Sequence, residues 1–108
     1  MNKMYTATFM INVKQYNDEF EVLNNKVIIA AENNPGYIGR ESWVDGNRNV
    51  VILYWKSLES LKDFSNHPDH LRAKKRYKEW YGGYQVLISE VLRHYGDDFY
   101  DGEHKVLG

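Results

Sequence analysis

Apolar and polar positions alternate in part along "MYTATFMINV", with many β-branched and aromatic residues, and the pattern predicts a strand from about Met4 to Val13. From Asn17 to Asn33 the period lengthens: Phe20, Leu23, Val27, Ala30 and Ala31 recur at steps of three and four. That spacing lays one apolar face along an amphipathic helix, with Asn17 as its cap. "NNPGY" ends the helix, because Pro35 cannot continue it and Gly36 tolerates a tight turn. Residues 37 to 44 read as a second strand and "DGN" at 45 to 47 as a hairpin turn. "NVVILYWK" reads as a third strand, apolar enough to be central and covered on both faces.

Ser57 is placed to cap a short helix carrying Leu58, Leu61 and Phe64. Pro68 suits the first turn of another helix, where its missing N–H costs nothing. Gly82 and Gly83 are expected to end that helix, and "YQVLISEVLRHY" to form the last strand. The polar, turn-rich tail from Gly96 is expected to be loose or to pack on a partner. One domain over residues 1–95 and a tail over 96–108 are therefore expected.

The order is β-α-β-β-α-β, with the second helical region broken at Pro68. This is an α+β, ferredoxin-like antiparallel sheet with its helices on one face. The other face would expose apolar residues from strands two, three and four. A second copy of the chain is the simplest cover, so a homodimer is expected.

Composition narrows the function classes. A chain of 108 residues is long enough for one hydrophobic core, and 43% hydrophobic with 27% charged residues is ordinary for a soluble protein. A net charge of −1 argues against gripping nucleic acid or anionic membrane over the whole surface. The absence of cysteine removes disulfides, thiolate metal sites and thiol nucleophiles together. The first residues lack the pattern of a signal peptide, and Val50 to Trp55 is far too short an apolar run to span a bilayer, so a cytoplasmic protein is expected. Nine tyrosines and three tryptophans favour pocket walls and subunit contacts, since both side chains join an apolar body to a polar tip.

Candidate chemistry concentrates in "NHPDHLRAKKRYKEWYGGY". On a helix over residues 68 to 81, His70, Ala73, Tyr77 and Trp80 fall on one face, while Arg72, Lys75 and Glu79 lie away from it. His70 thus points toward the sheet, either as a hydrogen-bonded core histidine or as a pocket-lining group. His67 is a surface or capping residue. A metal site is disfavoured, because His67 and His70 straddle a proline and no third ligand is evident nearby. The basic run Arg72, Lys74, Lys75, Arg76 and Lys78 reads better as a solvated helix face than as a phosphate site, given Asp69 and Glu79 among it. RNA-recognition motifs share this element order, but "NVVILYWK" lacks their glycine and aromatic spacing. No Gly-rich phosphate loop, nucleophile elbow or paired carboxylate stands out.

Three stretches, "NNPGYIGRESW", "YWKSLESLKDFSNHPDH" and "WYGGYQVLISEVLRHYG", resemble the antibiotic biosynthesis monooxygenase domain family over about residues 4 to 95. The resemblance implies a small dimeric α+β barrel made of two ferredoxin-like halves. Some members are cofactor-independent oxygenases acting on flat polyketide or quinol-type molecules, and others degrade haem. In the oxygenase case the substrate itself reduces dioxygen after losing a proton, and the protein positions, deprotonates and stabilises the developing oxyanion. By motif, Trp55, Phe64, Tyr77 and Trp80 would line the substrate pocket. His70 would be the base or hydrogen-bond donor, its unperturbed pKa lying near working pH. The haem-degrading branch carries an asparagine on strand one, then a tryptophan and a histidine after strand three. Here Thr8 or Phe9, Phe64 and Lys74 stand at those places. The expectation is a cofactor-free monooxygenase of a small aromatic molecule, with no metal. The alternatives are a non-catalytic small-molecule binding module, or a protein that binds haem through His70 without degrading it.

Overall fold

The structure, a computed structural model, describes residues 3–97. Seven elements follow in order: β1 (Tyr5–Val13), α1 (Asp18–Glu32), β2 (Tyr37–Asp45), β3 (Arg48–Trp55), α2 (Leu58–Ser65), α3 (Pro68–Trp80) and β4 (Tyr81–Glu90). The four strands form one antiparallel sheet in the order β2-β3-β1-β4, the ferredoxin-like arrangement. Residues of the expected tail beyond position 97 lie outside the described residues. None of the helices of the described residues is long and apolar enough to cross a membrane.

Local chemistry explains where the helices start. Extended Asn17 accepts the Phe20 N–H on its side-chain oxygen at 2.9 Å, and Asp18, Glu19 and Glu21 sit favourably in the first turn of α1. Ser57 Oγ accepts the Ser60 N–H at 3.0 Å to open α2. His67 does the same for α3, its Nδ1 accepting the Asp69 N–H at 3.1 Å, with Pro68 next in line. Between α1 and β2, Asn34 accepts the Gly36 N–H and donates to the Ser60 carbonyl. A Cβ at Gly36 would overlap the Ser60 side chain, so only glycine allows β2 to enter this close to α2.

Pairing sorts the side chains to two faces. Ala7, Phe9 and Ile11 of β1 stand beside Leu53 and Val51 of β3 and Ile88, Val86 and Tyr84 of β4, all facing the helices. Ala7, Ala31, Leu53, Trp55 and Phe64 form the buried centre of this layer. Among the described residues nothing covers the opposite face. It carries half-exposed Trp43 and Leu87, with partly buried Met10, Val50, Ile52 and Tyr54 between them. The third strand is therefore central, but it is covered on one face only. The helices also stop short of β4, where Tyr84, Val86 and Ile88 remain 36–55% exposed on the helix side.

Two expected boundaries move. The last helix ends at Trp80 rather than at the paired glycines, and Gly82 and Gly83 lie inside β4. The N–H groups of Lys14 and Gln15 both donate to the Trp80 carbonyl, at 2.7 and 3.1 Å, which pulls the chain out of the helix and alongside β1. The strand then ends at Glu90 instead of Tyr95, because Glu90 already pairs with Tyr5, the first residue of β1. Just beyond it the Val91 N–H donates to the Met4 carbonyl at 2.9 Å, where β1 has not yet begun.

Candidate functional site

Two cavities open between the sheet and the helices. The smaller, about 260 Å³, lies under α1 and the C-terminal half of α3, with Leu23, Val27, Val51 and Trp80 among its walls. The larger, about 700 Å³, lies between α2, α3 and the uncovered side of β4. Phe9, Ile11, Phe64, His70, Ala73 and Tyr81 line both, so they make up the wall common to the two.

His70 is held in that wall by two rings. Phe64 lies 4.7 Å away centroid to centroid, and Phe9 meets it edge-on at 6.4 Å. Its Nδ1 is buried and has no hydrogen-bond partner. Burial pushes the imidazole pKa down to about 4, with the positive charge of Lys74 acting the same way and the nearby Ser65 backbone opposing both. This corrects the expectation of a pKa near working pH. Desolvation makes His70 a neutral group at pH 7, able to accept or donate a hydrogen bond but weak as a base on its own.

The other expected site residues separate. Phe64 is buried in the common wall and packs on Trp55 at 5.1 Å. Trp55 is fully buried behind it, against Tyr37, and lines neither cavity. Tyr77 lines the larger cavity, edge-on to Tyr84 at 5.0 Å. Trp80 lines the smaller one, its indole N–H donating to Asn17 at 3.2 Å. One helical stripe therefore serves two compartments.

Several wall residues escaped the reading of the sequence. Tyr81 lines both cavities, and burial, then the neighbouring Tyr16, pushes its phenol up to about 12. Tyr16 stacks on Phe20 at 3.8 Å, and its buried hydroxyl has no partner. It sits in the loop before α1, where no periodicity marks it; the density of rings around "YNDEF" is the only local sign. Arg40 reaches the smaller cavity because the β2–β3 register shifts between Tyr37 and Gly39. The basic run is mostly engaged in the protein: Arg72 pairs with Asp69, Arg76 with Glu19 and Glu79, and Lys74 donates to the Ser65 carbonyl and hydroxyl. Among the described residues, no three His, Asp or Glu side chains are grouped to hold a metal ion.

A family model for Monooxygenase af470-like proteins matches residues 2–88. The chain belongs to that family. A variant of SnoaB, a cofactor-independent oxygenase from Streptomyces nogalater, has a TM-score of 0.72 to it at 13% identity, covering 87% of this chain and 98% of that one. A protein of Chloroflexus aurantiacus that bears the name antibiotic biosynthesis monooxygenase gives 0.60 at 15% identity, over 86% and 97% of the two chains. A dabb family protein with a ferredoxin-like fold from Mesorhizobium loti gives 0.60 at 11%, over 84% and 99%. At these identities what is shared is the fold, and it extends over nearly the whole of each neighbour. No curated protein matches the chain. In this monooxygenase af470-like chain the two cavities occupy the layer between sheet and helices, and His70 stands at their boundary.

Proposed function

We propose that the protein is a cofactor-independent monooxygenase of a small aromatic molecule, bound beside His70 between the sheet and the helices. The observation that carries this is His70: an imidazole in the wall of both cavities whose Nδ1 is buried without a partner among the described residues. An unmet buried hydrogen bond costs about 1–3 kcal/mol. A turn of the ring that brings this nitrogen to a ligand hydroxyl in the cavity removes that cost.

A quinol-type hydroxyl bonded to Nδ1 loses its proton to the imidazole as negative charge develops on the ring. The nearby anion then raises the low proton affinity of His70, so base and substrate ionise together. The electron-rich substrate reduces dioxygen; one oxygen atom enters the ring system and the other leaves as water. Phe64 supplies a ring surface in either cavity, joined by Tyr77 in the larger and by Trp80 in the smaller, to hold a flat molecule in place, and Trp55 supports Phe64 from behind. In this reading the working form is a cytoplasmic homodimer, the second copy covering Trp43, Leu87 and the apolar strip between them.

A second reading, a binding module without turnover, draws on the same low proton affinity, since a group with a pKa of about 4 holds a proton poorly. Oxygen uptake separates the two. With a panel of anthrones and naphthoquinols, the wild type should consume oxygen, and His70→Ala should still bind the ligand, weakened by about the lost hydrogen bond, while losing uptake. Unchanged uptake in the variant removes His70 from the mechanism. Binding with no uptake by either form leaves the binding module. A Soret shift on haem titration that His70→Ala abolishes identifies a haem-binding protein instead.

A further inference from the structure

Charge around the cavities is segregated in a way the whole chain is not. The sequence has 15 acidic and 14 basic residues. Among the described residues, the larger cavity nevertheless has Lys62 and Lys74 in its lining and no carboxylate, and the smaller has Arg40 and no carboxylate. Two neighbouring surface grooves show the ordinary mixture: Asp18 and Glu19 stand with Arg72 and Arg76 in one, Asp63 and Asp69 with Lys26 in the other. The acidic side chains of the described residues thus line the surface beside the two His70 cavities and not the cavities themselves.

Lys74 is also held in place. Its Nζ donates to the Ser65 carbonyl at 3.1 Å and to the Ser65 hydroxyl at 3.0 Å, which leaves one ammonium proton for a ligand. From there its charge is felt at His70. The floor nearby is apolar and aromatic, with Tyr77 edge-on to Tyr84 and Val86 and Ile88 alongside. Ring surface and a fixed cation therefore lie in one cavity.

We infer that the larger cavity takes an aromatic acid: a flat ring system bearing an ionised carboxylate or equivalent anion, its charge on Lys74 and Lys62 and its rings against Tyr77 and Tyr84. This rests on the proposal that these cavities are the ligand site, and it names the ligand class. The neutral His70 complements it, since it offers a hydrogen bond to an uncharged hydroxyl and leaves the anion to the lysines. Both lysines are solvent-exposed, so the anion adds about tenfold in affinity rather than thousands.

The full-length protein is titrated with two fluorescent probes that share a ring system, anilinonaphthalene sulfonate and the uncharged N-phenylnaphthylamine. The sulfonate, standing in for the carboxylate, should bind about tenfold tighter at low salt, and about 0.5 M salt should close most of the gap. Lys74→Met should close it as well, with the uncharged probe unchanged, whereas Lys74→Arg should keep it. Ala73→Phe, which fills the common wall, should weaken both probes. Equal binding of the two probes by the wild type, or a gap that survives Lys74→Met, overturns the aromatic-acid inference and leaves the ligand site standing. Failure of both probes to bind, or binding indifferent to Ala73→Phe, overturns the ligand site and the inference with it.

Discussion

Replacing His70 with leucine should stabilise the protein in acid, by an amount set by the imidazole's surroundings. The ring titrates at about 4 in the folded chain and at the ordinary histidine value of 6.5 when unfolded. Between those values the unfolded chain binds the proton and the folded chain refuses it, so wild-type stability falls as pH drops from about 6.5 to about 4. At about 1.4 kcal/mol per pH unit the loss approaches about 3 kcal/mol, and the partial solvent access of His70 reduces it to about 2 kcal/mol. Leucine has no such dependence. For a domain of this size the difference amounts to roughly 10 °C in melting temperature at the acid end. At about pH 7.5 the imidazole is neutral in both states, and leucine gains only about 1 kcal/mol by removing an unpartnered ring nitrogen. Urea melts of both proteins at fixed concentration, from about pH 7.5 to about pH 4, give the difference curve directly, and other titrating groups cancel in it. A flat curve, or a wild type that gains on leucine as pH falls, would show that His70 is not desolvated.

Gly36→Ala should lower stability by about 2–3 kcal/mol, seen as a lower urea midpoint, because its Cβ would overlap the Ser60 side chain; Ser60→Gly in the same chain should recover part of the loss. Asn17→Ala should cost about 1–2 kcal/mol and change the tryptophan emission, since one oxygen caps α1 and accepts the Trp80 indole N–H. Trp43→Glu with Leu87→Lys should turn a sedimenting dimer into a monomer with an unaltered circular dichroism spectrum; a wild type that sediments as a monomer removes the homodimer from the proposed function.

Much of the fold was legible because its signals are local. The caps at Asn17 and Ser57, the first-turn Pro68 and the switch between strand and helix periods each depend on residues a few positions apart, and the helices begin where those residues place them. The glycine pair misled for the same reason. Gly82 and Gly83 mark a backbone that tolerates a bend, but the end of α3 is decided by Lys14 and Gln15, which reach the Trp80 carbonyl from the far end of β1. The end of β4 likewise depends on where β1 begins.

The site divides along the same line. Helical spacing alone put His70, Ala73, Tyr77 and Trp80 on one inward stripe, which was enough to single out His70. That the stripe lines two cavities, that Trp55 lies behind the wall and that Tyr16 and Arg40 reach inward were settled by tertiary packing and by a register shift in β2. Proton affinity was the furthest from reach. Residue type set the starting value for His70, and only the packing of Phe9 and Phe64 and the charge of Lys74 brought it down to about 4, because desolvation and electrostatics depend on what surrounds a group in space rather than what precedes it in the chain.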